Sequence, residues 1–149
     1  MITPGVALNS ITQRGGFSYP ATQFNSAQLG PELIIDGDFS QEAGWSTIGA
    51  GWTIVANQAL GVPPAASSLA QDIATLNEGS QYLVILDMNQ TNGAPVKLTV
   101  GGNDHPRQYT QAGIQRRVII AGATLQFALT KNGAWTGVID NVSMREVIQ

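Results

Sequence analysis

Alternating apolar and polar residues predict a fold of β-strands from residue 32 onward. In residues 96–102, with the sequence VKLTVGG, the two valines and the leucine fall on one face. Lys97 and Thr99 fall on the other face, which is the period-two pattern of a half-buried strand. Turn-forming residues recur about every 8–12 positions along this part of the chain, a spacing typical of β-sandwiches and barrels.

Four further segments carry a strand pattern. Residues 116–135 are interpreted as two strands joined near Ala121-Gly122-Ala123, and the Asn132-Gly133 pair after the second strand predicts a tight turn. The remaining strand segments are SSLAQDI at 67–73, QYLVILDMN at 81–89 and TGVIDNVSMREV at 136–147.

Residues 1–31 differ from the rest of the chain. Glycine and proline interrupt them repeatedly, and Arg14 is their one charged residue. We interpret them as an extended arm that docks on its own domain, on a neighbouring copy or on another partner; an unstructured leader is the alternative. The predicted sandwich then occupies residues 32–149. The residues expected to make the arm's contacts are Ile11, Arg14, Phe17, Tyr19 and Phe24.

Composition narrows the classes of function. The chain has 149 residues, a net charge of −3 and no cysteine, which excludes disulfides and cysteine-ligated metals. Charged residues make up only 11%, and this balance gives no reason to expect nucleic-acid binding. No apolar run is long enough for a transmembrane helix, so no membrane partner is expected. The first residues lack the pattern of a signal peptide, so export by that route is not expected.

Three motifs in order suggest a family. They are ELIIDGDFS at 32–40, the two Gly-Trp pairs within 44–60, and TGVIDNVSM at 136–144. The chain resembles the galactose-binding-like jelly rolls of carbohydrate-binding modules and of many tailed-phage structural proteins. The resemblance implies an all-β, antiparallel jelly-roll sandwich of about eight strands, with the first and last strands side by side.

The same resemblance implies a calcium site near the two ends of the domain. Asp36, Asp38 and Asp140 are the candidate ligands. Ser40 stands where relatives often carry a glutamate, which removes a strong ligand from a cation that takes six to eight oxygens. The alternative is that these aspartates accept backbone hydrogen bonds at turns. No other cofactor is expected.

Exposed aromatic rings are the candidates for glycan binding, because a sugar presents an apolar face that stacks on them. Trp135 follows the predicted Asn132-Gly133 turn, and Trp45 and Tyr109 also lie near predicted loops. Burial in the core is the alternative for rings of this size. No catalytic residues are expected, because no nucleophile motif accompanies the single histidine, His105.

Two interpretations of function remain open, both non-enzymatic. The first is a phage virion protein, most simply a capsid decoration or cement protein or a head-fibre component, assembled in the host cytoplasm. Its partners would be the major capsid protein or other virion proteins, and it would form a trimer or dimer. The second is a carbohydrate-binding module or adhesin that stacks glycans on exposed aromatic rings.

Overall fold

The structure, a computed structural model, describes residues 28–41 and 43–148. Within these residues the chain forms eleven β-strands and no α-helix. The strands are β1 (Leu29–Glu32), β2 (Thr47–Ile48), β3 (Trp52–Val55), β4 (Gln58–Gly61), β5 (Ser67–Asp72), β6 (Gln81–Thr91), β7 (Val96–Val100), β8 (Asn103–Asp104), β9 (Gly113–Ile120), β10 (Gln126–Lys131) and β11 (Gly137–Val147).

The strands form two antiparallel sheets. The six-stranded sheet has the order β3-β4-β11-β6-β9, and β1 also pairs with β11. The five-stranded sheet has the order β2-β5-β10-β7-β8. This architecture confirms the predicted all-β sandwich. The predicted number of about eight strands is too low, partly because β2 and β8 have only two residues each.

The first and last strands lie side by side, as the resemblance implies. Leu29 is paired with Val147 and Glu32 with Arg145. Beyond β1, the backbone N–H of Val142 donates to the carbonyl of Gly37 at 2.8 Å, so the opening and closing motifs meet. In the described part of the chain the first strand, β1, begins at Leu29, so residue 31, the predicted end of the arm, lies inside it.

The core lies between the sheets and is filled by the inward-facing residues of both. On the five-stranded sheet, Leu129 of β10 is paired with Leu98 of β7, and both side chains are fully buried. Trp135 fills the space near the other sheet, where a Cβ atom on Gly61 would lie 2.1 Å from the indole ring. Glycine at position 61 is therefore what allows this ring to pack against β4.

The described residues include no helix that is both long and apolar enough to cross a membrane.

Candidate functional site

One row of side chains crosses all five strands on the outer surface of the five-stranded sheet. The strand registers place five residues next to one another across the sheet, in the order Thr47, Ala70, Ala128, Thr99 and Asp104. Each lies on the face opposite the buried leucines, because neighbouring residues of a strand point to opposite sides. The two central positions are alanines, whose short side chains leave the middle of the row flat. Hydroxyl and carboxylate groups stand at its ends.

Two shorter rows continue this surface on either side. In the first, the hydroxyls of Ser68 and Thr130 are 2.8 Å apart, and Lys97 is paired with Thr130 on the next strand. In the second, the side-chain amide of Gln126 donates to Asp72 at 3.3 Å. The outward side chains of these three rows are called the five-stranded face below. Apart from the two alanines, every side chain on it is polar.

A cluster of three polar side chains stands at one end of the five-stranded face. The Thr99 hydroxyl donates to one carboxylate oxygen of Asp104 at 2.7 Å, and the Lys97 ammonium donates to the other at 3.0 Å. The hydrogen bond from Thr99, followed by that from Lys97, lowers the pKa of Asp104 below its ordinary value of 3.8. The carboxylate is therefore charged at neutral pH and balances the charge of Lys97.

A cleft of about 270 Å³ opens beside this cluster, at the start of β7 and the end of β10. Residues of the face and of the adjoining loops line it. They are Ala66, Pro95, Lys97, Gln108, Thr130, Lys131 and Asn132. The cleft gives the otherwise flat surface a shallow, open recess that a ligand group can contact.

Lys131 holds one wall of this cleft in place. Its side chain is fully buried, and its ammonium donates to the carbonyl of Val62 at 2.9 Å and to that of Ala65. Burial lowers the pKa of Lys131 below its ordinary value of 10.5. Because two loop carbonyls share this donor, the segment that leads to Ala66 is fixed against the end of β10.

The aromatic residues predicted to bind glycans do not have exposed rings. Trp135 and Tyr109 are 0% exposed and Trp45 is 6% exposed, so the predicted exposure is wrong. All seven aromatic residues of the described part are buried: Phe39, Trp45, Trp52, Tyr82, Tyr109, Phe127 and Trp135. The described residues therefore offer no exposed ring on which a sugar could stack.

Each of the three predicted rings has its own reason for burial. Trp135 packs on Trp52, with ring centroids 5.3 Å apart, and its indole N–H donates to Thr91 at 3.1 Å. Trp45 stacks on Phe39 at 5.0 Å. The Arg117 guanidinium lies 5.1 Å from the centroid of the Tyr109 ring, and burial raises the pKa of the Tyr109 hydroxyl.

The three predicted calcium ligands do not gather into one group. In the described part of the chain, no three acidic or histidine side chains lie close enough together to hold a metal ion. Asp36 accepts from Ser40 and from the N–H of Gln41, Asp38 accepts from the N–H of Ser40, and Asp140 accepts from its neighbour's N–H. The three-carboxylate site is therefore corrected to a set of turn contacts. Calcium binding through other donors stays a prediction.

The residues predicted for the assembly arm lie outside the described part of the chain. Ile11, Arg14, Phe17, Tyr19 and Phe24 all fall within residues 1–27. Their role stays a prediction.

Sequence reasoning missed the Lys97–Thr99–Asp104 cluster. Alternation places Lys97 and Thr99 on one face, but the approach of Asp104 depends on the hairpin between β7 and β8. Gly101 and Gly102 form its two-residue loop, both with positive φ. A Gly-Gly pair after a strand is a known signal for such a hairpin, and it could have located Asp104.

Comparisons with known proteins identify the fold. A scan against protein-family models finds no match, and neither does a search of curated proteins. Among solved structures, the chain is similar to a family 16 carbohydrate-binding module, at a TM-score of 0.50 and 14% identity, over 75% of this chain and 98% of that one. It is also similar to the mannan-binding module from Man5C, at 0.50 and 16%, over 72% and 95%. At such identities the likeness shows the fold alone, a β-sandwich of the carbohydrate-binding-module kind.

Proposed function

We propose that this chain is a non-catalytic carbohydrate-binding domain, and that polysaccharide lies across the five-stranded face. The observation that carries the proposal is the five-stranded face, on which every outward side chain except Ala70 and Ala128 is polar, and which adjoins a cleft lined in part by Lys97 and Thr130. The face spans five strands and is rich in hydrogen-bonding groups around these two small residues, as binding of an extended polymer requires.

The chemistry of the face suits sugar hydroxyls, which both donate and accept hydrogen bonds. Thr99 and Thr130 offer hydroxyls, Lys97 offers a donor, and Asp104 offers an acceptor. Because Lys97 and Asp104 balance each other, the cluster has no net charge with which to select a charged polymer. We therefore expect a neutral polysaccharide.

The similar structures support the same class of ligand. They are carbohydrate-binding modules, and one of them is described as mannan-binding. Mannan is therefore the first polysaccharide to test. The alternative interpretation made from the sequence, a carbohydrate-binding module, is better supported than the virion interpretation, which stays a prediction.

Burial of the aromatic rings changes the expected mode of binding. Without an exposed ring in the described part, affinity rests on hydrogen bonds that contribute about 0.5–1.5 kcal/mol each. A few such bonds correspond to dissociation constants of about 1 mM for short oligosaccharides. Polymers that reach several points of the face should bind more tightly.

Affinity electrophoresis in gels containing soluble polysaccharides tests the proposal. Retardation by mannan or another neutral polymer is expected, and Lys97→Gln should weaken it. Arg145→Gln is the matched control, since Arg145 forms the corresponding surface ion pair with Glu32 on the other sheet. The proposal fails if no polymer retards the protein, or if both substitutions have the same effect.

A further inference from the structure

Two turns of the chain carry the pair Asn-Gly, and the sequence contains no other such pair. Asn92-Gly93 lies between β6 and β7, and Asn132-Gly133 lies between β10 and β11. In both turns the side-chain oxygen of the asparagine accepts from the backbone N–H two residues on, that of Ala94 at 3.2 Å and that of Ala134 at 3.0 Å. The two pairs are therefore closely matched in local structure.

An Asn-Gly pair is a place at which a chain can modify itself. The backbone nitrogen of the glycine attacks Cγ of the asparagine side chain. An N–Cγ bond forms, the Cγ–Nδ2 bond breaks, and the amide leaves as ammonia with the proton of the glycine nitrogen. Water then opens the resulting succinimide at either carbonyl and yields aspartate or isoaspartate. Glycine favours the attack because it has no Cβ atom to obstruct the approach.

Hydrogen bonds to the two reacting nitrogens distinguish the turns. The side-chain nitrogen of Asn92 donates to the carbonyl of Ala134 at 2.7 Å. The backbone N–H of Gly93 donates to the Thr91 hydroxyl at 3.1 Å. Ring closure at Asn92 therefore requires both bonds to break. At Asn132, neither the side-chain nitrogen nor the backbone N–H that follows has a hydrogen-bond partner among the described residues.

We propose that Asn132 is a site of self-modification, where the folded protein deamidates while Asn92 is protected. Asn132 is exposed, so water reaches the ring that forms. It also lines the cleft beside the five-stranded face, so the product places a carboxylate where a neutral amide stood. This site goes beyond polysaccharide binding and does not depend on which ligand the cleft takes.

Exposure of the glycines alone predicts the opposite order. A Cβ atom on Gly93 would meet no atom within 4 Å, whereas one on Gly133 would lie 2.5 Å from the carbonyl oxygen of Pro64. The hydrogen bonds decide the order, because Asn92 must lose two of them at its reacting nitrogens and Asn132 loses none. Two such bonds correspond to a difference in rate on the order of tenfold.

Peptide mapping by mass spectrometry follows both sites in one molecule during incubation in mildly alkaline buffer. In the folded protein, Asn132 should convert about tenfold faster than Asn92. In urea strong enough to unfold the chain, the two sites should convert at similar rates, because both then present the same sequence, Asn-Gly-Ala, without its turn. The unfolded protein thus separates the effect of the fold from that of the sequence.

Asn132→Gln is the matched variant, because its longer side chain disfavours closure of the ring. It should abolish conversion at position 132 and leave the rate at Asn92 unchanged, and a thermal melt verifies that the variant is folded. Equal rates at the two sites of the folded protein, or faster conversion at Asn92, would overturn the proposal. Absence of conversion at Asn132 under conditions that convert the unfolded chain would also overturn it.

Discussion

On the five-stranded face, hydroxyl, amide and charged groups surround two alanines, whereas the outward face of β6 and β9 on the six-stranded sheet mixes the apolar Ile114 and Ile120 with Asp87 and Arg116. Both sheets contribute the same kind of residue to the core between them. A sandwich needs only its inward faces to be apolar, so the outward faces are free to differ. Their difference therefore indicates function: the five-stranded face offers a nearly uniform set of hydrogen-bonding groups to a polar ligand, and the mixed surface of β6 and β9 does not.

The largest effect is expected from removing the side chain of Trp135, which lies in the core and on neither outer face. Trp135→Ala should lower the free energy of unfolding by about 3–5 kcal/mol, because it empties a large, fully buried volume. Urea denaturation followed by circular dichroism measures the change. Leu125→Ala, at an exposed position, should cost far less, and a similar small cost at Trp135 would contradict its assignment to the core.

Introducing a bulky side chain in the middle of each outer face tests which of the two faces binds polysaccharide. Ala128→Tyr should lower the affinity for a bound polysaccharide at least about tenfold, or by about 1.4 kcal/mol, because the tyrosine side chain fills the centre of the row. Ile85→Tyr on the six-stranded sheet should leave that affinity unchanged. Isothermal titration calorimetry measures both, and equal effects would show that ligand does not lie across the five-stranded face.

The buried Lys131, beneath the cleft of the five-stranded sheet, should make the stability of the protein depend on pH. Because burial lowers its pKa in the folded state, the unfolded chain binds this proton more tightly. The stability of the protein relative to Lys131→Met should therefore rise as the pH increases from the folded-state pKa toward 10.5. Urea midpoints of both proteins across this range measure the effect. Parallel pH dependences of the two proteins would contradict it.

The smallest effect concerns the exposed Asp104. Its folded-state pKa is depressed, so Asp104 stabilises the folded protein. This contribution to stability is fully present above pH 3.8 and is lost as the pH falls through the folded-state pKa. Thr99→Val should raise the midpoint of the Asp104 titration, measured by NMR of the side-chain carboxyl, because the Thr99 hydrogen bond is the largest cause of the shift. Arg145→Gln on the other sheet should leave that midpoint unchanged, and an unmoved midpoint in Thr99→Val would contradict the cause.

The strands could be predicted from sequence because their signal is local. The alternation in residues 96–102 gave β7, which spans Val96–Val100, and the closing motif gave β11. The pairing of β1 with β11 followed from the family resemblance. The predicted turn at Asn132-Gly133 is present as well, since the N–H of Trp135 donates to the carbonyl of Asn132 at 3.2 Å.

The site could not be predicted because it depends on registers between distant strands. Ala70 and Ala128 are far apart in sequence and become neighbours only when β5 pairs with β10. The burial of Trp135 depends in the same way on Gly61 and Gly137, two glycines from strands of the other sheet that leave room for its ring. Proximity to a turn suggested an exposed side chain, but the turn carries the chain from one sheet to the other and directs the ring inward.

The hydrogen bond between Gln28 and Ile148 also determines how the domain responds to mechanical force. The two ends of the described domain leave from the same end of the six-stranded sheet, as neighbouring antiparallel strands. A pull between them loads the bonds of β1 and β11 one at a time, as in opening a zip, instead of shearing them together. Tension along the chain should therefore detach β1 first, at low force, while the five-stranded face keeps its shape.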